Sequence, residues 1–383
     1  MKKIALIGST GSIGRQVINV ALRYPERFRI VAMAANSSPL FFEQIARVRP
    51  AFAALRQKTG SPDLAHACAQ TRFVSGEAAF EEACAYADAD IVFDAVTGFA
   101  GLKTALLAIG AGKTLALANK ESLVVGGDIV MRRAAERGAE IVPVDSEHSA
   151  IWQCLGFDRA AKFRRILLTA SGGALRDVPL NELKNVTAKQ ALAHPNWDMG
   201  AKITVDCATM LNKGFEVLEA MHLYAAPLAK IKVLLHRESI VHSMVEFDDG
   251  AVLAQMGVPS MELPIQLALT YPARLSCGLP SVDFVKCGAL HFAEVSEERY
   301  PCFFLALECA KRGGSYPCVL NAAGEAAVSA FLNGQIKYTQ IADIIEGTLS
   351  AHAPRAAGSY AELEEVDRAA RACARLRISE IGG

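Results

Sequence analysis

The chain opens with a short apolar run, residues 3–7, that passes directly into Gly8, Ser9, Thr10, Gly11, Ser12, Ile13 and Gly14. Val17, Ile18, Val20 and Ala21 then fall on one face of a helical period. The alternation repeats. Residues 29–34, 51–55, 91–95, 114–118 and 140–144 read as buried strands, and 76–86, 101–110 and 128–137 as helices between them. Strand and helix in that order predict a Rossmann-like, doubly wound parallel sheet over residues 1–145, the first part of an α/β protein. Ligands of such sheets bind beyond the carboxyl ends of the strands. That edge carries residues 8–14, Thr97 and Gly98, Asn119, Lys120 and Glu121, and Asp145, Ser146 and Glu147.

After residue 145 the pattern becomes mixed, as expected of an α+β domain over 146–270. A helix is predicted at 150–155, a strand at 164–170, a helix beginning near Thr209, and a hairpin across 231–257 turning at Asp248, Asp249 and Gly250. Residues 271–298, rich in Pro, Gly and Ser, read as a linker. Helical periods at 302–311, 321–332, 339–350 and 361–376 predict a C-terminal all-helical domain over 299–383.

Composition narrows the class. With 383 residues, two or three domains are expected. Forty basic residues balance forty acidic ones, which argues against a nucleic-acid partner. The ten cysteines form no CxxC pair, so reduced thiols are expected rather than a disulfide framework or a zinc ribbon. The apolar run at the start is too short for a signal peptide, and no segment is long enough to span a bilayer. A cytoplasmic protein without a membrane partner is the expectation.

Several stretches carry candidate chemistry. The glycine-rich turn between strand and helix suits a dinucleotide phosphate, because small residues let backbone amides approach it. After the second strand stand Ala35, Asn36, Ser37 and Ser38 in place of an acid, which leans towards NADP over NAD. Asp145 and Glu147, read as extended, would point to one side with Ser146 between them. Two such carboxylates repel unless a cation or shared proton relieves them; the bland alternative is solvated charge past a strand end. On the helix near Thr209, Asn212 and Glu216 stand at i, i+4 with Lys213 beside them. Asp145, Glu147 and Glu216 would make an all-oxygen site suited to magnesium or manganese. Ser171, Asn212 and Lys213 would suit a phosphate, although an ordinary surface Lys–Glu pair is the commoner reason for that spacing. Trp197, in the polar segment His194–Pro195–Asn196–Trp197–Asp198–Met199–Gly200, suggests a lid near 186–201. His236 reads as a structural histidine on its strand.

In order, GSTGSIG, ANKESL, PVDSEHSAI, HPNWDMG, VDCATMLNKGFEVLEA, VHSMVEF and VPSMELPIQLAL resemble the 1-deoxy-D-xylulose 5-phosphate reductoisomerase family from residue 1 past 330. The resemblance implies an NADPH- and divalent-metal-dependent enzyme that converts 1-deoxy-D-xylulose 5-phosphate, a small phosphorylated sugar, to 2-C-methyl-D-erythritol 4-phosphate in non-mevalonate isoprenoid synthesis. It implies a homodimer formed mainly through the middle domain. Carried over by motif, Asp145, Glu147 and Glu216 are the metal ligands, and with Lys120 they are the catalytic set. Lys120, Ser146, Glu147, Ser171, His194, Trp197, Cys207, Asn212, Lys213, Glu216, Ser239 and His242 meet the substrate. Thr10, Gly11, Ser12, Ile13, Ala35, Asn36, Ser37, Asn119, Glu121, Met199, Gly200 and Met261 meet the cofactor.

The chain departs from the family pattern at four places: Cys207 stands for a usual Ser, Asn36 for a residue often basic, Glu262 for a frequent Arg, and Gly324 for a usual Asn. Two other readings compete. One is an aldehyde dehydrogenase using Cys207 as nucleophile, which would need a base and no metal. The other is a dinucleotide sensor that has lost catalysis, for which a metal cage and a lid would be superfluous.

Overall fold

A computed structural model describes residues 1–58, 70–197 and 199–382. The chain forms two compact units, residues 1–122, 129–145 and 261–279 in the first, and 123–128, 146–260 and 280–383 in the second.

The first unit is built on seven strands: β1 (Lys2–Ile7), β2 (Phe28–Ala35), β3 (Phe52–Leu55), β4 (Arg72–Ser75), β5 (Ile91–Asp94), β6 (Thr114–Leu117) and β7 (Ile141–Pro143). Every pairing is parallel, in the order β4-β3-β2-β1-β5-β6-β7. The continuous apolar runs read from the sequence are those of a sheet covered on both faces; Ile4, Leu6, Met33, Val92 and Phe93 are fully buried. Strand order reverses between β1 and β5, so the turns after these two strands flank the crevice where such sheets bind ligands.

Residues 261–279 rejoin this unit, whereas the sequence placed a boundary at 270. The helix Glu262–Thr270 packs on the helix Ser12–Arg23, clipped by an Arg23–Glu262 ion pair at 2.7 Å. That pair accounts for an acid at 262.

The second unit holds β8 (Arg165–Ala170), β9 (Ile231–Leu235), β10 (Val241–Glu246) and β11 (Val252–Met256), ordered β11-β10-β8-β9. The predicted hairpin is limited to β10 and β11, with Gly250 at φ +89° in its turn. β9 instead lies parallel to β8. The C-terminal helices are all-helical as read, but they belong to this same unit: the helix Pro301–Arg312 packs on the helix Leu211–Leu223. At Gly324 a Cβ would stand 2.7 Å from Leu211 Cδ2, so glycine fits the close approach there. The stretch read as a linker includes a helix, Phe284–Cys287, capped by Asp283, and a bridge from Ala293 to Leu235.

Candidate active site

In the first unit the glycine turn is fixed by contact rather than by preference. Gly8 has φ +87°, and a Cβ on Gly14 would lie 2.3 Å from Gly8 O. No side chain caps the helix Ser12–Arg23, so its first amides can face an anion. The turn therefore has the build a dinucleotide requires.

The Asn119 side chain is engaged within the fold. Its Nδ2 donates to Val96 O at 2.9 Å and Gly98 O at 3.0 Å, and its Oδ1 accepts from Ser122 N at 2.8 Å. The side chain staples the turn after β5 to the start of the helix Glu121–Arg137. Its neighbour Lys120 is paired with Asp145 at 2.7 Å, and both are 7% exposed. A buried pair of this kind lowers the cost that either charge would meet alone.

Asp145 is followed at once by the helix Ser146–Cys154. The extended reading of 145–147 therefore fails: Ser146 and Glu147 occupy the first helical turn, and side-chain alternation does not apply. Two peptide links still keep the Asp145 and Glu147 Cα atoms within about 7.6 Å. Acid in a first turn is also favourable to the helix dipole.

In the second unit Lys213 is the centre of charge. Its Nζ lies 2.8 Å from Glu147 Oε1 and is bonded to Glu216 as well. Asn212 Nδ2 donates to Glu216 Oε1 at 2.5 Å, the i, i+4 contact the sequence predicted. Lys213 is 4% and Glu216 1% exposed, which rules out an ordinary surface pair. Burial acts to strip the Lys213 proton, but Glu147 and Glu216 outweigh it and hold the ammonium above its usual range. These oxygens are carboxylates gathered about one cation, a donor set that fits a hard divalent metal. The helix read from near Thr209 is Leu211–Leu223, and Met210, at φ 56°, separates it from a preceding helix, Ala201–Thr209, that the sequence reading did not include.

Ser171 follows β8 and faces His194. Backbone N–H groups of Asn196 and Trp197 donate to His194 Nδ1 at 3.1 and 3.0 Å, so that nitrogen bears no proton. Nε2 must carry it and donates to Ser171 Oγ at 3.0 Å. Gly173 N also donates to that Oγ, at 3.1 Å. Both lone pairs of Ser171 are engaged, leaving its hydroxyl hydrogen to be given to an anion. Burial, then the nearby Arg176 charge, pushes His194 down to about 4, in keeping with a neutral ring.

His242 is likewise pushed down to about 4, mainly by burial, and its ring meets Trp197 edge-on at 6.0 Å. Ser239 Oγ accepts from Asn196 Nδ2 at 2.8 Å. His236 donates from Nδ1 to His291 O and accepts Ile240 and Val241 N–H at Nε2, a satisfied structural histidine. Cys207 lies in the last turn of Ala201–Thr209, its carbonyl 2.5 Å from a Cβ built on Gly173. Asn36 and Ser37 follow β2, Met199 and Gly200 precede the helix Ala201–Thr209, and Met261 precedes the helix Glu262–Thr270. Of the lid segment, Asp198 lies outside the described residues. Asn196 and Arg176, which donates to Ser171 O at 2.9 Å, were not singled out from the sequence; polarity beside His194 was the available signal for Asn196.

Comparison with known proteins is consistent along the whole chain. Family models match residues 4–127, described as 1-deoxy-D-xylulose 5-phosphate reductoisomerase, and residues 141–224 and 256–373, described as C-terminal domains of that enzyme. A 1-deoxy-D-xylulose 5-phosphate reductoisomerase of Geobacillus kaustophilus is 48% identical over 99% of this chain and 100% of its own. The Zymomonas mobilis reductoisomerase solved with NADPH is 39% identical, covers 98% of this chain and 99% of its own, and superposes with TM-score 0.91. A DOX-P reductoisomerase complex with NADPH, fosmidomycin and magnesium is 36% identical, covers 99% and 98%, and has TM-score 0.94.

Proposed function

The chain belongs to the 1-deoxy-D-xylulose 5-phosphate reductoisomerase family, and from that membership we infer that it converts 1-deoxy-D-xylulose 5-phosphate to 2-C-methyl-D-erythritol 4-phosphate with NADPH and a divalent metal. The reaction belongs to non-mevalonate isoprenoid precursor synthesis. Among the chain's own features, the observation that carries the reading is Lys213 held by Glu147 and Glu216: a buried acidic site already arranged about a cation.

Residue roles follow from that arrangement. Asp145, Glu147 and Glu216 hold magnesium, or manganese in its place. The metal supplies Lewis acidity to the ketone and hydroxyl oxygens while the carbon skeleton rearranges. NADPH, on the glycine turn of residues 8–14, supplies the hydride. Lys120 orients Asp145 and adds positive charge at the substrate. Ser171 donates its hydroxyl hydrogen to the phosphate, with Asn212, Cys207 and Lys213 as further contacts. A phosphate remote from the changing bonds lends its binding energy to hold the substrate. His194, Trp197 and Met199 close over it and keep the aldehyde from water, while His242 and Ser239 line the floor.

The units divide accordingly: the glycine turn, Lys120 and Asp145 lie on the first, and Glu147, Glu216 and the phosphate contacts on the second. A homodimer is part of the same reading: β11 is a sheet-edge strand with Val252 47% and Leu253 50% exposed. No helix among the described residues is long and apolar enough to cross a membrane, and we place the enzyme in the cytoplasm.

Incubation with 1-deoxy-D-xylulose 5-phosphate, NADPH and magnesium, with the product identified by mass and carbon NMR, tests the reading. Stoichiometric 2-C-methyl-D-erythritol 4-phosphate is expected. NADPH consumption without that product would overturn it.

A further inference from the structure

The C-terminal helices contribute none of the groups assigned above, yet two of their buried tyrosines bond the backbone beside Ser171 and Cys207. Tyr300, 2% exposed, stands just before the helix Pro301–Arg312 and donates its hydroxyl to Gly172 O at 3.0 Å. Tyr338, 6% exposed, stands just before the helix Gln340–Ala351 and donates to Ala208 O at 2.7 Å. Burial keeps both hydroxyls protonated by raising them above the usual phenol range.

Both bonds fall where the loop after β8 and the end of the helix Ala201–Thr209 come into close contact. Gly172 has φ +79°, and a Cβ there would meet Tyr300 Oη at 3.1 Å. Gly173, at φ +71°, rests on the backbone of Ala208, where a Cβ would come within 2.5 Å of Ala208 Cα. The Gly172 carbonyl and the Gly173 N–H belong to one planar peptide group. Fixing the carbonyl therefore fixes the direction of the N–H, and that N–H is what holds Ser171 Oγ. Ala208 O is among the last carbonyls of its helix, which lack partners within the helix; Tyr338 supplies one and steadies Cys207 beside it.

We propose that Tyr300 and Tyr338 are positioning residues that set the affinity of the Ser171–Cys207 pocket for the substrate phosphate, acting through the peptide Gly172–Gly173 and the helix end at Ala208. The inference rests on the assignment of the phosphate to Ser171, Asn212 and Lys213, and it gives the C-terminal helices a role in substrate recognition.

The test compares full-length wild type, Tyr300→Phe, Tyr338→Phe, Ser171→Ala and Tyr300→Phe/Ser171→Ala. It measures KM and kcat for 1-deoxy-D-xylulose 5-phosphate, Ki for inorganic phosphate, Kd for NADPH and melting temperature. Each Phe variant is expected to raise KM and the phosphate Ki together by about three- to tenfold, the worth of one neutral hydrogen bond. Affinity for NADPH stays within about twofold, and kcat changes less than KM. The double variant loses no more phosphate affinity than Ser171→Ala, because the Tyr300 bond works through Ser171.

If Ser171→Ala raises KM and Ki but folded Tyr300→Phe and Tyr338→Phe do not, the positioning role is wrong and the phosphate assignment stands. If Ser171→Ala leaves both constants unchanged, the phosphate assignment itself is wrong and the inference falls with it. Fully additive losses in the double variant would overturn the route through Ser171. Either single Phe variant suffices should the other not fold.

Discussion

Lys213 brings its ammonium within 2.8 Å of Glu147 Oε1, although the two residues sit on separate helices 66 positions apart in sequence. The same ammonium bonds Glu216, so one side chain neutralises two of the proposed metal ligands. A divalent cation bound by these carboxylates would compete with the ammonium for their oxygens, and an ammonium so released would be available to a phosphate.

Lys213→Met should therefore bind magnesium tighter than wild type in the absence of substrate, roughly tenfold by calorimetry, while KM for substrate rises by at least as much. Without metal the variant should melt at a lower temperature, because Glu147 and the buried Glu216 each lose an ion pair. Weaker metal binding in the variant would contradict the competition.

The pair Lys120–Asp145 is buried on both sides. Lys120→Met removes the buried ion pair from Asp145 and should cost about 3–5 kcal/mol in urea unfolding. A loss below about 1 kcal/mol would mean that water or another cation already serves Asp145.

Histidines 194 and 242 titrate at about 4 in the folded chain against an ordinary 6.5. The unfolded chain thus takes up protons at a higher pH than the folded one. Stability from these groups is complete above about pH 6.5 and erodes as pH falls towards 4. Protonating His194 Nδ1 also destroys its acceptance of the Asn196 and Trp197 N–H groups. Melting temperature should fall across that window, and His194→Gln should flatten part of the slope. An equal slope in the variant would remove His194 from the account.

Cys207 offers a thiol, a weaker donor than a hydroxyl. Cys207→Ser should lower KM for substrate about two- to fivefold at unchanged kcat, a modest gain on the scale of one hydrogen bond. A raised KM would show that the pocket has adapted to sulfur.

Much of this was legible in the residues themselves. Apolar runs between glycine turns gave the parallel sheet because period and length are local properties, and the Asn212–Glu216 contact follows from helical spacing alone. The helix start at Ser146 and the separate helix Ala201–Thr209 were missed, since the end of β7 and a left-handed residue inside an apolar stretch carry no distinct pattern. The return of Met261–Leu279 to the first unit depends on packing of the helix Glu262–Thr270. Tyr300 and Tyr338 act on residues 128 and 130 positions away, beyond the reach of any sequence window.

The central claim is that Glu216, with Asp145 and Glu147, holds the metal that turnover requires. Its most direct test is NADPH oxidation with 1-deoxy-D-xylulose 5-phosphate across a magnesium titration, wild type beside Glu216→Gln. Wild-type turnover should vanish in EDTA and return with metal. The variant, folded and still binding NADPH, should need at least about a hundredfold more metal or show no turnover at all. Turnover by Glu216→Gln at wild-type metal concentrations would contradict the account.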